Sequence, residues 1–151
     1  MSPAFSFRKI FLGLLAGLLS ALVGLFLVYL TGIVATAIST RDFFATLLAA
    51  ATFLPLMVFF VLFFPSIALS LLVGLTLGLG SNFNKRASGL VVGALTGLIF
   101  AEIVLSLVLP LIVAPQAGDF TSIVSNHYLS AAYGLILGIF TSLFFRWMAP
   151  E

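Results

Sequence analysis

Ser88–Pro110 reads SGLVVGALTGLIFAEIVLSLVLP. It is apolar over a length that crosses a bilayer, since about 20 residues at roughly 1.5 Å each match a hydrocarbon core of about 30 Å. Gly89, Gly93 and Gly97 recur at every fourth position, so they form a slowly turning stripe of small residues along one helix face. Such a stripe lets a second backbone approach closely, the small-xxx-small mode of membrane helix packing. Glu102 is the one ionisable residue well inside a hydrophobic segment. At about 100° per residue it is expected on the side away from the glycines. The helix thus needs a close neighbour on one side and an answer for a carboxyl on the other, which reads as one span of a polytopic membrane protein.

Composition extends that reading to the whole chain of 151 residues, which is 63% hydrophobic and 7% charged, with a mean hydropathy of +1.36. A water-soluble domain is about 25% charged. The length suits a single polytopic membrane domain, with no separate extramembrane domain expected. A net charge of +2, from six basic and four acidic residues, leaves no electrostatic footprint for nucleic acid. With no cysteine, the chain carries no disulfide, thiolate metal site or c-type haem attachment. His127 is the single histidine and supplies no bis-histidine haem site alone. No GxSxG, HExxH, P-loop or paired-carboxylate pattern occurs, so neither an enzyme nor a metal site is expected.

Four spans are expected, over about 10–33, 58–80 with a helical lead-in at 43–57, 89–113 and 129–145. The first follows Phe7-Arg8-Lys9, but its apolar core far exceeds the 7–15 residues of a cleaved signal, so it is read as an uncleaved span. Gly13, Gly17 and Gly24 share a face of this span, and Gly74, Gly78, Gly134 and Gly138 recur in the second and fourth. All are expected to serve helix packing. Tyr29, Tyr128 and Trp147 fall near span ends, where aromatic anchors belong. Ala35–Asp42 is expected as a short polar connection.

Phe43–Leu79 is too long for one span, and Pro55 and Pro65 should bend it. Basic residues arbitrate the count. Four spans place Arg8, Lys9, Lys85, Arg86 and Arg146 on one side, whereas five would divide them. Both termini are therefore expected in the cytoplasm, in a bacterial cytoplasmic or related energy-transducing membrane. Lys85 and Arg86 alone fall short of the 4–8 charges of a lipid-recognition cluster, so topology accounts for them.

An internal repeat agrees with this count. Gly13-Leu14-x-x-Gly17-x-Leu19-Ser20 matches Gly89-Leu90-x-x-Gly93-x-Leu95-Thr96. Leu69-Ser70-x-x-x-Gly74-Leu75 likewise matches Leu129-Ser130-x-x-x-Gly134-Leu135. The fold class expected is an all-α membrane four-helix bundle, two hairpins in tandem, with a Phe-rich insertion at Arg41–Phe64. That insertion is read as a helix bent at a proline, its early part projecting beyond or lying along the outer interface.

The function expected is a structural or accessory subunit of a larger membrane complex, acting through helix packing and contact with lipid or a hydrophobic cofactor shared with a partner. Its partners would be membrane lipid and other membrane subunits or further copies of itself. The alternative is a small oligomeric transporter or channel with Glu102 as its protonatable or cation site, because intramembrane acids commonly serve such roles. His127, Asp119, Arg41 and Asp42 all fall on the outer side, where the simple reading is solvation of loop ends.

Overall fold

The longest element, α1 (Phe7–Thr40), runs unbroken for 34 residues, or about 50 Å at roughly 1.5 Å per residue. The computed structural model describes residues 5–108 and 126–149, and every regular element among them is helical. The connection expected at Ala35–Asp42 is helical as far as Thr40. The hydroxyls of Thr31, Thr36 and Thr40 each donate at 2.8 Å to the carbonyl four residues back, so none adds an unpaired donor. Arg41 then adopts a left-handed conformation (φ 52°) and ends the helix. The Asp42 carboxylate accepts the Phe44 amide at 2.9 Å and caps α2 (Phe43–Ala51).

Two prolines punctuate the return path. A proline at position i lacks the N–H that would bond to the carbonyl of i−4, and its ring crowds that carbonyl. Accordingly α2 stops at Ala51, four residues before Pro55. A short turn, α3 (Phe53–Pro55), follows, and then a wide π-helical turn over Leu56–Val61, which ends four residues before Pro65. The helix expected to continue through this region is thus broken at Thr52 and again at Leu62. The second long helix, α4 (Phe63–Phe83), begins five residues later than the expected span. Tyr29 donates its hydroxyl to the Ala50 carbonyl at 2.8 Å and so ties α2 to α1.

Glycine decides how α4 meets α1. A methyl on Gly13 would strike the Gly74 carbonyl, one on Gly17 the Ser70 carbonyl, and one on Gly78 would lie 2.8 Å from the Ile10 Cα. The two backbones run antiparallel in direct contact. After a 3₁₀ turn (Lys85–Ser88), α5 (Leu90–Ala101) continues as a π-helical segment over Glu102–Val108, and α6 spans His127–Met148. Here Gly93 abuts the Gly138 carbonyl region and Gly97 abuts Gly134. Gly13 meets Gly74 in the first pair, so the repeat alignment would set Gly89 against Gly134. Gly134 instead meets Gly97, two turns further along α5. Gly89 is the N-cap of α5, and a methyl there would meet only the Arg86 carbonyl, at 3.1 Å. It belongs to the helix start rather than to the packing stripe, because the seam begins at Gly93.

The two pairs join through a core of Leu69, Val73, Leu77, Ala101, Leu105 and Leu137. Two buried polar bonds cross the same junction: Ser20 Oγ donates to the Leu137 carbonyl (2.8 Å), and the Ser66 and Tyr133 hydroxyls meet at 2.7 Å. Gly24 makes room for Leu137 and Tyr133. Four helices, Phe7–Thr40, Phe63–Phe83, Leu90–Val108 and His127–Met148, are long and apolar enough to cross a membrane. The first and last are longer than expected at both ends, because amphipathic residues continue them past their apolar cores. Positions 109–113 of the expected third span, with Pro110, Pro115 and Asp119, lie outside the described residues.

Candidate functional site

Glu102 opens the π-helical segment of α5, and a wide turn of this kind often marks a functional position. Facing it is the start of α6. Asn126 caps that helix by accepting the Tyr128 amide at 2.9 Å, which sets His127 and Ser130 one turn apart. His127 Nδ1 lies 2.7 Å from Glu102 Oε2, and Ser130 Oγ donates to Oε1 at 2.9 Å. Ser106, one turn along α5, donates to Oε2 at 3.4 Å and lies 3.1 Å from the Ser130 hydroxyl. The carboxyl therefore has partners on both oxygens, drawn from α5 and α6.

This differs from the expected orientation away from the glycine stripe. As α5 and α6 cross, their contact seam moves round α5 from Gly93 and Gly97 to Ala101 and Leu105, both buried. Glu102 adjoins Ala101, and its flexible side chain reaches round to α6. Glu102 lies within Leu90–Val108, level with the first turn of α6, with 32% of its side chain exposed and 76% of that of His127.

The chemistry open to this cluster follows from its membership. Among the described residues, no group of three or more His, Asp or Glu side chains gathers, and one imidazole with one carboxylate is a sparse ligand set. A Ser-His-acid triad needs the hydroxyl on the imidazole. Here the Ser130 hydroxyl bonds the carboxylate and the His127 carbonyl (3.1 Å). The arrangement is a clasp that ties the end of α5 to the beginning of α6. Arg41 and Asp42, in the turn between α1 and α2, form no hydrogen bond with Glu102, His127, Ser106 or Ser130, and Asp119 lies outside the described residues.

Beside the clasp lies a groove of about 420 Å³ between α1 and α6, lined by Leu27, Val28, Thr31, Leu129, Ser130 and Tyr133. Its walls are apolar apart from a few hydroxyls, and Ser130 belongs to both groove and clasp. Tyr133 and Ser130 escaped the sequence reading. The signal available was slight: a tyrosine within an apolar span, and a serine one turn beyond the histidine. Their partners lie 67 and 28 residues away.

The remaining expected residues fall into place around this. Gly13, Gly17, Gly74, Gly78, Gly93, Gly97, Gly134 and Gly138 sit at backbone-to-backbone contacts. Tyr128 and Trp147 are exposed at opposite ends of α6, whereas Tyr29 braces α2. Arg8, Lys9, Lys85, Arg86 and Arg146 gather at the end where α1 and α5 start and α4 and α6 finish, as the bond from the Ser6 amide to Asn82 Oδ1 (2.8 Å) and that from Ser142 Oγ to the Gly89 carbonyl (3.3 Å) require. No family model, curated protein or solved structure matches the chain.

Proposed function

We propose that this chain is a non-catalytic accessory subunit of a larger membrane assembly, built as two tandem hairpins running in the same sense with both termini in the cytoplasm. One observation carries the reading: α2 buries none of its residues, yet it is capped by Asp42 and braced by Tyr29. A held helix that exposes Phe43, Phe44, Leu47 and Leu48 presents an apolar surface that the described residues leave uncovered. Exposed apolar area of this kind marks protein or membrane contacts. The outer face of α5, with Val91, Leu95, Ile99 and Ile103, offers a second such surface to lipid or a further subunit. The groove beside Tyr133 has the lining for an acyl chain or a hydrophobic cofactor shared across a subunit boundary.

The test is photocrosslinking in native membranes with benzoylphenylalanine at Phe44, compared with the same group at Val91. A discrete adduct with a membrane polypeptide at Phe44 supports the subunit reading. Adducts with lipid alone at both positions overturn it. A small transporter with Glu102 as its protonatable group is the second reading, and what favours it is a partly exposed carboxyl beside the groove. It requires that the chain alone in proteoliposomes moves a solute and that Glu102→Gln abolishes the flux.

A further inference from the structure

A second cavity, of about 340 Å³, lies at the basic end of the bundle and owes nothing to the Glu102 clasp. Arg8 and Lys9 from the first turn of α1 and Lys85 from the 3₁₀ turn line it, with Ser88 beside them and Leu12 and Phe145 as its apolar floor. The sequence separates Lys85 from Arg8 by most of α1 and all of α4, and the antiparallel packing of those helices brings the two together. Lys9 is held in place, its ammonium donating to the Ser81 carbonyl at 2.9 Å, which leaves N–H donors on the same group for a ligand. Arg86 and Arg146 stand at the same end but outside the cavity lining, so five of the six basic residues of the chain lie at this end of the bundle and three of them line the opening. Asp42 and Glu102, the acids among the described residues, both lie at the opposite end.

We infer that this cavity binds the phosphate of an anionic phospholipid. Three converging cations and a hydroxyl match a phosphate in charge and donor geometry, and basic pockets between transmembrane helices are suited to lipid head groups. Free phosphate shares that chemistry, but three features select a lipid. The cavity sits where the apolar helices end, at the depth of head groups. Its floor is apolar, which suits a glycerol backbone and the first methylenes of an acyl chain. Phe5, Phe7 and Phe83 are exposed at this end, with ring centroids 5.2 Å (Phe5–Phe7) and 6.4 Å (Phe5–Phe83) apart, and they form an aromatic rim at the interface. The inference is independent of any partner subunit.

Trp147 is the only tryptophan; it does not line the cavity but is exposed between the lining residues Phe145 and Ala149, so it reports without labelling on lipid gathered at this end. The full chain is reconstituted in phosphatidylcholine vesicles containing a minor fraction of dibrominated phosphatidylglycerol or, in parallel, dibrominated phosphatidylcholine. Quenching by the anionic lipid should exceed quenching by the zwitterionic lipid at equal mole fraction. Arg8→Gln with Lys85→Gln should lower the apparent preference roughly tenfold or more, given the attraction per basic residue. Arg86→Gln with Arg146→Gln, which removes equal charge outside the cavity lining, should keep most of it. Circular dichroism of each variant confirms the helical fold. Equal loss in the two double variants would reduce the effect to diffuse surface charge and overturn the site. Loss of quenching on adding millimolar inorganic phosphate, at constant ionic strength, would assign the site to a soluble anion and overturn the lipid.

Discussion

Gly138→Ala tests the backbone contact on which the second helix pair rests. The added methyl would point into the Gly93 carbonyl group, 2.7 Å from its carbon and 3.2 Å from Ala94 Cα. Carbon atoms pack comfortably at about 3.5–4.0 Å. Every atom in the way is backbone, so no side chain can swing aside, and α5 and α6 must part by roughly 1 Å. Overpacking of this kind costs about 1–3 kcal/mol. Against it stands the better helix propensity of alanine, about 1 kcal/mol in water. The net expectation is a loss of about 0–2 kcal/mol, and because only backbone stands in the way the value should fall at the upper end. Gly32→Ala is the control, since its methyl would meet the flexible end of Leu54, 2.8 Å away, which can turn aside. That change should cost less than about 0.5 kcal/mol. The chain has no cysteine, so a donor–acceptor pair can be attached at two introduced cysteines on α5 and α6. Unfolding in dodecylmaltoside is then followed by titration with sodium dodecyl sulfate. An unchanged midpoint for Gly138→Ala, or a larger shift for Gly32→Ala, would refute the claim that backbone contact sets the spacing of the pair.

Three further changes probe the polar bonds. Tyr133→Phe removes the partner of the buried Ser66 hydroxyl and should lower stability by about 0.5–1.5 kcal/mol in the same titration, with Ser66 turning to the carbonyl four residues back. Asp42→Ala should cost about 1 kcal/mol of local helix stability and speed amide exchange over Phe43–Ala51 while leaving α4 protected, as exchange measured by mass spectrometry will show. His127→Ala removes one arm of an exposed hydrogen-bonded pair and should shift the unfolding midpoint by less than about 1 kcal/mol, because Ser130 and Ser106 still serve the carboxyl.

What the sequence made legible was periodicity and punctuation. Glycines four apart announced close helix contacts, and they sit at backbone contacts along α1, α4, α5 and α6. The prolines announced breaks, and each break falls four residues upstream, at the carbonyl that proline can neither bond nor accommodate. Register was less legible. The aligned motifs equate Gly13 with Gly89, but Gly97 takes that place against Gly134, because a small-residue pattern repeated every turn fits equally well when slid by whole turns. The partners that Glu102 finds on α6 were not legible. An angle of 100° per residue describes an isolated straight helix, whereas α5 widens at Glu102 and crosses α6, and the partners come from 25 and 28 residues along the chain.

The two ends of the bundle hold its polar chemistry in opposite conditions. At one end the Glu102 carboxyl is met on both oxygens by side chains of α5 and α6. Its hydrogen-bonding capacity is largely consumed within the chain, which suits a fastening. At the other end Arg8, Lys9 and Lys85 line a cavity with no acid among the described residues at that end. Like charges brought together by packing repel, and among the described residues only the Ser81 carbonyl, which accepts from Lys9, offsets that repulsion. Such an arrangement is tolerated most readily when an anion from outside completes it. Binding should therefore stabilise the folded bundle by mass action, more at higher anionic lipid content. The chain should resist sodium dodecyl sulfate unfolding longer in micelles doped with phosphatidylglycerol than in those doped with phosphatidylcholine. Arg8→Gln with Lys85→Gln should abolish that difference while raising the stability measured without anionic lipid, since the variant no longer holds unneutralised charges together. Lower stability of the variant in plain detergent would mean that these cations already have partners within the protein.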